Sequence, residues 1–403
     1  MNTVAIICEY NPFHSGHKHH IDEIRREFGE DTRIIAIMSG NYTQRGETAI
    51  MDKTDRARCA ALEGANLVLE LPFPFSVSSA ELFARAGVSI ADSLGIVDYL
   101  SFGSECGDIS ALCEYAKRTA STEYLSLLDE KMRDSAYASL GYPRICELAF
   151  SELYEDTGVR LTPNNILAVE YIKAIASLNS RIVPHTVRRE GAAYNDESLN
   201  GYTHESASAI RRAALNGEEG ALDSIPKRAR SVVQDALARG AFPCDMEKLA
   251  PAILSFFRLN PTDSAANIHD VGGGLYNRIR NASFEADSIK ALISLSETKK
   301  YTNARILRGV IYSFLGVTSS DVKEIPAYTQ LLAMDGIGRS CLKEIRGKGS
   351  IPVVTKPSDT DGLTDAARAQ KARADRADSI FHLTRPTPES GSFSLKFTPF
   401  VKP

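Results

Sequence analysis

Two histidines and a glycine stand close together near the start of the chain, in the segment Cys8-Glu-Tyr-Asn-Pro-Phe-His-Ser-Gly-His17. The segment leaves a predicted strand and enters a predicted helix. Free amides and the dipole at a helix N-terminus favour anions, and Gly16 lets the backbone approach a phosphate closely. The imidazoles of His14 and His17 can donate hydrogen bonds to phosphate oxygens and stabilise charge on a reacting α-phosphorus. This spacing predicts nucleotidyl transfer.

Two other interpretations of these histidines are open. They could be surface residues of a polar loop, or they could bind a metal ion together with His19 and His20. No Asp or Cys stands at ligand spacing beside them, so we predict no metal site. His19 and His20 are predicted to lie on the helix surface.

Short apolar runs alternate with helical patterns up to about residue 215. Strands are predicted for Thr3 to Cys8, Arg33 to Met38, Leu67 to Leu71, Val97 to Phe102 and Arg181 to Val187. Helices are predicted for His17 to Phe28, Lys53 to Gly64, Ser79 to Leu94, Asn164 to Ala176 and Ser206 to Leu215. This alternation predicts an α/β, Rossmann-like fold with a parallel, doubly wound sheet. The first turn then lies at the carboxyl edge of the sheet, where ligands gather.

The pattern changes after residue 215. Residues 216–356 are predicted to form a mainly α-helical domain, with helices over Ala229 to Arg239, Met246 to Phe257, Asp287 to Leu295, Ala304 to Phe314 and Tyr328 to Ala333. Pro357 to Ser392 is rich in Asp, Thr, Arg, Ser and Pro and has few large apolar residues. Residues 357–403 are therefore predicted to be a mobile C-terminal segment.

Composition excludes several classes of protein. The longest apolar runs are far shorter than the roughly 20 residues of a membrane span, and no basic segment followed by an apolar stretch opens the chain, so we expect a cytoplasmic protein. The seven cysteines contain no C-x-x-C pair and are expected to be reduced thiols. From residue 261 onward 20 Lys and Arg stand against 15 Asp and Glu, whereas the first 260 residues hold 27 against 36. Either a negatively charged partner of the basic half or a solvated surface of mixed charge would explain this asymmetry.

The first turn resembles that of the H-x-G-H nucleotidylyltransferase superfamily, and further motifs resemble the tRNA(Met) cytidine acetate ligase family more closely. These motifs are Ala5 to His17, Met38 to Glu47, Leu69 to Phe73, Ser101 to Glu105, Pro163 to Leu167 and Arg188 to Glu190, with weaker matches in Gly274 to Arg278 and Lys299 to Arg305. They follow one another in order through the N-terminal domain. Together they are specific for the family.

The resemblance implies an enzyme that uses ATP and acetate to form N4-acetylcytidine at the wobble position of elongator tRNA(Met). Acetate attacks the α-phosphate of ATP to give acetyl-adenylate and pyrophosphate, and the cytidine amine then displaces AMP. No covalent enzyme nucleophile is required, and the sequence contains no convincing Ser-His-Asp or Cys-His set. Mg²⁺ is expected to arrive with ATP, and acetyl-CoA is not expected. Residues 1–215 would bind ATP, and residues 216–356 would bind tRNA.

The resemblance also assigns residues. His14 and His17 are the expected catalytic phosphate ligands, and the expected ATP-binding set is Ile7, Cys8, Glu9, Tyr10, Asn11, Pro12, Phe13, His14, Ser15, Gly16, His17, Lys18, His19, His20, Gly103, Asn164, Asn165, Arg188 and Arg189. Ser206, Ser208 and Arg211 resemble a second phosphate motif, although Ala207 and Ala209 depart from its stricter form. The clustering of cations on and before one predicted helix, rather than the resemblance, gives the expected tRNA-binding set, although each residue alone could be a solvated charge. The set is Arg278, Lys299, Lys300, Arg305 and Arg308.

Several of these residues could instead have purely structural roles. Gly103 could be a turn glycine, Asn164 and Asn165 could cap a helix, and Ser206 could be an ordinary N-cap. Lys53 could contact phosphate or RNA, or it could be a solvated lysine. At the level of the whole chain, an adenylyltransferase that acts on a phosphorylated metabolite and a non-catalytic RNA-binding protein are the alternatives. Pyrophosphate exchange that depends on acetate would separate the first of them from the ligase.

Overall fold

Five strands lie side by side and parallel in one sheet of the computed structural model, which describes residues 1–137, 140–155, 158–189, 206–390 and 397–403. The strands are β1 (Thr3–Cys8), β2 (Arg33–Ser39), β3 (Leu67–Leu71), β4 (Tyr99–Ser104) and β5 (Val183–Arg188), in the order β5-β4-β1-β2-β3. The register sets Cys8 opposite Met38 and Ser104 opposite Arg188. The carboxyl ends of the central strands therefore meet at one edge.

Helices account for most of the remaining described chain. Their bounds are α1 (Ser15–Phe28), α2 (Lys53–Leu62), α3 (Ala80–Ser93), α4 (Ile109–Thr119), α5 (Thr122–Arg133), α6 (Tyr142–Leu153), α7 (Pro163–Ser177), α8 (Ala207–Leu215), α9 (Lys227–Ala238), α10 (Ala250–Leu259), α11 (Leu275–Glu285), α12 (Ile289–Ser296), α13 (Asn303–Leu315), α14 (Ser319–Lys323), α15 (Gly336–Lys348) and α16 (Asp365–Phe381). Short 3-10 helices cover Ser135–Tyr137, Met246–Leu249, Thr262–Ala265, Pro357–Gly362 and His382–Thr384.

Both faces of the sheet are covered. Helices α3, α4, α7 and α15 pack on one face, where Phe83, Leu112 and Ile172 belong to one buried cluster. Helices α1, α2, α8 and α9 pack on the other face around Ile24 and Val232. Because both faces are buried, β1, β2 and β3 are nearly continuous apolar runs rather than alternating ones, whereas the edge strand β5 is more polar and more exposed. The predicted Rossmann-like, doubly wound architecture is confirmed.

Helices α10 to α13 form a third core of their own, which includes Phe257, Ile279 and Val310. This part of the chain is helical, as the sequence predicted. It touches the sheet domain at Gly46, where an added Cβ would lie 2.7 Å from the backbone nitrogen of Arg308 on α13. The close approach joins the loop after β2 to the helical region.

The predicted helix over Tyr328 to Ala333 is wrong. Thr329–Met334 is strand β6, which pairs antiparallel with β3 and also pairs with the short strands β7 (Val353–Val354) and β8 (Phe400–Val401). A buried apolar run of only six residues is too short for its periodicity to distinguish a strand from a helix. The sheet therefore extends beyond the predicted boundary at residue 215.

The prediction of a mobile segment from residue 357 is wrong for α16. Its buried side chains include Ala374, Ala377 and Phe381, which pack into a cluster with Tyr42 and Ile311. The helix looks polar in composition because it contains many Arg, Asp and Lys residues, yet its small alanines allow it to pack closely against its neighbours. No described helix has the length and apolar character needed to cross a membrane.

Candidate functional site

Backbone amides hold the two histidines of the first turn in one tautomeric form. His14 caps α1, and its Nδ1 accepts a hydrogen bond from the Gly16 amide at 3.1 Å. Nδ1 of His17 accepts from the His14 amide at 3.2 Å. Because both Nδ1 atoms are acceptors, each neutral ring carries its hydrogen on Nε2. The pair therefore offers two N–H donors.

The surroundings keep His17 uncharged. Burial, together with His14 and Arg189, lowers the pKa of His17 well below its ordinary value. The centroids of the His14 and His17 rings lie only 3.9 Å apart, and His14 is 4% exposed. A neutral imidazole still donates its Nε2–H to an anionic phosphate, so the geometry suits stabilisation of charge on phosphate oxygens.

The N-terminus of a second helix faces the same cavity. Ser206 caps α8 by accepting the Ala209 amide at 3.0 Å, and Ser206, Ala207 and Ser208 all line the cavity. The guanidinium of Arg211 donates to the Asn11 carbonyl at 2.9 Å and to the Glu47 carboxylate at 3.1 Å. Two helix N-termini and an arginine thus surround one volume, which is an anion-binding arrangement.

The ends of β4 and β5 supply the opposite wall. Arg189 donates to Oδ1 of Asn164 at 3.2 Å, and both residues line the cavity with Arg188. A Cβ added to Gly103 would lie 3.1 Å from Cγ of Arg189. Gly103 therefore leaves room for the arginine side chain, which gives it a function beyond that of a simple turn.

Glu105 holds the start of α7, a role that sequence reasoning missed. Its carboxylate accepts from the Thr162 hydroxyl at 2.7 Å and the Asn165 amide at 2.9 Å. Burial alone would raise the pKa of Glu105, but the hydrogen bonds from Thr162 and Asn164 hold it below its ordinary value. The side chain of Asn165 accepts the Glu105 amide at 3.0 Å and does not line the cavity. Of the two predicted asparagines, only Asn164 faces the site.

Arg56 stabilises the strand ends that border the cavity, and no sequence pattern indicated this role. Its fully buried guanidinium donates to the carbonyls of Met51, Glu9, Ser39 and Gly40. The carbonyls of Glu9, Ser39 and Gly40 lie at and just beyond the ends of β1 and β2, and that of Met51 lies just before α2. The contacts hold the two strand ends together.

The structure corrects the prediction that His19 and His20 are surface residues, because both line the cavity. Nε2 of His20 lies 2.8 Å from the Ser101 hydroxyl, which lies 3.0 Å from Nδ1 of His185. Burial, with His185 and Arg189 nearby, lowers the pKa of His20 to about 3. Neutral His20 is thus held in one orientation.

The cavity gathers most of the predicted ATP-binding residues. Those that line it are Ile7, Cys8, Glu9, Tyr10, Asn11, His14, Gly16, His17, His19, His20, Gly103, Asn164, Arg188, Arg189, Ser206, Ser208 and Arg211. The predicted residues that do not line it are Pro12, Phe13, Ser15, Lys18 and Asn165. Glu190 of the quoted motif lies outside the described residues.

Sequence reasoning missed the apolar part of the lining. Phe83, Phe102, Leu167 and Tyr171 contribute it, and three of them come from the faces of α3 and α7. An apolar wall beside cationic and N–H donor groups suits a ligand with an aromatic ring and phosphates. The sequence could have indicated this wall only indirectly, because helices that flank a parallel sheet must turn apolar faces toward it.

Lys53 has neither of the predicted roles. Its buried ammonium lies 2.7 Å from Glu70 Oε1 and 2.6 Å from Asp378 Oδ2. Burial alone would lower the pKa of Lys53, but the carboxylates of Asp378 and Glu70 raise it. Lys53 therefore joins α2 to α16 and is not a solvated or phosphate-binding lysine.

The predicted tRNA-binding residues divide into two groups. Arg278, Lys299 and Lys300 are exposed. Arg305 and Arg308 both pair with the Asp270 carboxylate, at 3.0 and 3.2 Å. Lys300 and Arg305 also lie against the Tyr301 ring, at 5.4 and 5.3 Å from its centroid. The exposed cations stand on the helical region that touches the loop after β2.

Among the described residues, no group of three or more His, Cys, Asp or Glu side chains could hold a metal ion. The cavity is instead lined by N–H donors, arginines and helix amides. A doubly wound sheet with an H-x-G-H turn at its carboxyl edge defines a nucleotidyl transferase site. The family model described as HIGH Nucleotidyl Transferase matches residues 1–392, and the chain belongs to that family.

Individual relatives identify the family more narrowly than the family model does. The chain is 34% identical over 377 residues to the tRNA(Met) cytidine acetate ligase of Acetivibrio thermocellus, covering 89% of each protein. It is 37% identical over 360 residues to the enzyme of the same name from Caldicellulosiruptor bescii, covering 88% of this chain and 87% of the relative. The chain is therefore a member of the tRNA(Met) cytidine acetate ligase family.

Solved structures agree with this assignment. The crystal structure of Thermotoga maritima TmcAL in the apo state superposes with a TM-score of 0.93 at 29% identity and covers 100% of this chain and 99% of that one. The same protein bound with alpha-thio ATP superposes with a TM-score of 0.90 at 28% identity, with 100% of both chains covered.

Proposed function

We propose that the chain joins acetate to the N4 amine of the wobble cytidine in elongator tRNA(Met) at the expense of ATP. The observation that carries the proposal is the cavity in which the Nε2–H groups of His14 and His17 meet two helix N-termini. A triphosphate placed there would have its oxygens next to N–H donors and Arg211. The relatives are named for this reaction, and one solved neighbour holds an ATP analogue.

In the first step, an acetate oxygen attacks the α-phosphorus, the bond to the β-phosphate oxygen breaks, and acetyl-adenylate and pyrophosphate form. The developing charge lies on α- and β-phosphate oxygens, where His14 and His17 donate without changing protonation state. Arg188, Arg189 and Arg211 neutralise the departing pyrophosphate. A Mg²⁺ ion bound to ATP would supply further charge neutralisation.

In the second step, the cytidine amine attacks the acetyl carbonyl and AMP leaves. ATP and acetate replace acetyl-CoA as the source of the acetyl group. Cys8 lines the cavity, but burial raises the pKa of its thiol well above the ordinary value, so it is a poor nucleophile at neutral pH. The reaction therefore proceeds without an acyl-enzyme.

The tRNA would bind through the exposed cations of the helical region, Arg278, Lys299 and Lys300. The contact between Gly46 and α13 places this region beside the loop that carries Gln44 into the cavity. A wobble nucleotide flipped out of the anticodon loop would follow this loop to the acetyl group. Because tRNA is a cytosolic molecule, the reaction belongs to the cytosol.

Exchange of labelled pyrophosphate into ATP tests the first step. We expect exchange that depends on acetate and falls about 100-fold or more in His14→Ala and His17→Ala variants. Lys348→Ala, a surface change on α15, is the matched control. Exchange driven by a phosphorylated metabolite and indifferent to acetate would contradict the proposal and favour an adenylyltransferase, and absence of any exchange would favour a non-catalytic RNA-binding protein.

A further inference from the structure

Glu9 is the one carboxylate among the described residues that line the cavity. It follows β1 directly and belongs to the predicted ATP-binding segment, yet a carboxylate repels phosphates. A function other than phosphate binding is therefore needed for it. The proposed reaction contains one step that requires a proton acceptor, namely the attack of the cytidine amine.

The position of Glu9 is tightly fixed. Its Oε1 accepts the Gln44 amide at 2.7 Å, and its main-chain carbonyl is held by the buried guanidinium of Arg56. No described residue donates a hydrogen bond to Oε2. One carboxylate oxygen is thus anchored to the loop after β2, and the other is available to a ligand in the cavity.

The N4 amine of cytosine is a weak nucleophile, because its lone pair is delocalised into the ring. As it attacks a carbonyl carbon, the nitrogen gains positive charge and must lose a proton. The other fixed side chains of the cavity are poor acceptors. The Nδ1 atoms of His14 and His17 are occupied by backbone amides, and the pKa of His20 is about 3.

We propose that Glu9 is the general base of acetyl transfer to the tRNA, an inference that rests on the proposed function. The N4 lone pair forms a bond to the acetyl carbon of acetyl-adenylate, and Oε2 of Glu9 takes the amine proton. The bond between the acetyl carbon and the phosphate oxygen then breaks, and AMP leaves with that electron pair. The products are N4-acetylcytidine, AMP and a protonated Glu9, which returns its proton to water.

The environment of Glu9 changes its pKa in the direction that this role requires. Burial raises the pKa of Glu9 above its ordinary value, while the Gln44 amide, Arg211 and Arg45 oppose the rise and Glu47 reinforces it. A carboxylate with a raised pKa is a stronger base, yet it is still ionised at higher pH. The rate of acetyl transfer should therefore rise with pH and level off above the pKa of Glu9.

The test uses Glu9→Gln, which keeps the oxygen that accepts the Gln44 amide and removes the base. Transfer is measured in single turnovers with preformed acetyl-adenylate and tRNA, and activation is measured by acetate-dependent pyrophosphate exchange. We expect transfer to fall at least about 100-fold more than exchange, with loss of the pH dependence. Glu9→Asp, which keeps a carboxylate, should recover part of the transfer rate.

His19 is the matched comparison, because its imidazole also lines the cavity. If His19→Gln abolishes the pH dependence and Glu9→Gln retains it, the assignment to Glu9 is overturned. Equal losses of transfer and exchange in Glu9→Gln would also overturn it, since they would indicate a role in ATP binding alone. Failure of the wild-type protein to acetylate tRNA from acetyl-adenylate would instead refute the proposed function itself.

Discussion

Replacement of Lys53 by Met should destabilise the protein strongly. The Lys53 ammonium lies between the carboxylates of Glu70 and Asp378, and the three side chains are 7%, 2% and 9% exposed. Its loss leaves two buried carboxylates close together without a counter-charge. Breaking a buried ion pair by removing one partner costs about 3–5 kcal/mol.

The expected shift in melting temperature follows from the size of the chain. An unfolding entropy of roughly 2.1 cal/mol/K per residue gives about 0.85 kcal/mol/K for 403 residues. A loss of about 3–5 kcal/mol therefore lowers Tm by about 4–6 °C. Differential scanning calorimetry on the full chain measures this shift directly.

Lys348→Met is the matched control, because the Lys348 side chain is 60% exposed and its ion pair with Glu344 joins residues one turn apart on α15. Such a surface pair contributes about 0.3–0.5 kcal/mol, which corresponds to less than about 1 °C. If Lys53→Met lowers Tm no more than Lys348→Met does, the Lys53 cluster does not hold α16 against the sheet domain, and the reasoning is refuted.

Three further predictions concern the cavity and the helical region. In Gly103→Ala the new Cβ displaces Arg189, and we expect the Kd for ATP, measured by calorimetry, to rise about tenfold. If Gly103→Ala has an equal effect on Kd in an Arg189→Ala background, this mechanism is contradicted. His20 binds its proton more weakly in the folded state, so stability should fall by up to about 1.4 kcal/mol per pH unit below pH ~6.5, down to about pH 3. His20→Asn should make this fall less steep, and an unchanged slope in denaturation curves would refute the assignment. Lys299→Glu should weaken tRNA binding and reduce the salt dependence of log K by about one, and an unaltered slope in filter binding would remove Lys299 from the interface.

The sequence was sufficient for the parallel part of the fold because strands buried on both faces are unbroken apolar runs. Thr3–Cys8 and Leu67–Leu71 have the bounds that their residues predicted. Strand β6 was missed because its six residues are equally compatible with a buried helix, and its pairing partner β3 lies far away in the chain. Helix α16 was missed because its buried face mixes alanines with the polar residues Gln370, Lys371 and Asp378 and has one large apolar side chain, Phe381.

The site could be predicted where the chemistry is local. His14 and His17 stand three residues apart at a strand-to-helix turn, so their joint position follows from the elements. The role of Lys53 could not be predicted, because its partner Asp378 is 325 positions away. The same holds for Asn165, whose side chain turns to the backbone of Glu105, and for His20, whose orientation depends on Ser101 of a neighbouring strand.

We propose that this chain transfers acetate itself to the wobble cytidine. Mass spectrometry of nucleosides from elongator tRNA(Met), incubated with the protein, ATP and ¹³C-labelled acetate in the absence of acetyl-CoA, tests it most directly. We expect N4-acetylcytidine that carries the label, at the wobble position alone, with stoichiometric release of AMP and pyrophosphate. Unmodified tRNA, or acetylation that appears only when acetyl-CoA is added, would contradict the claim.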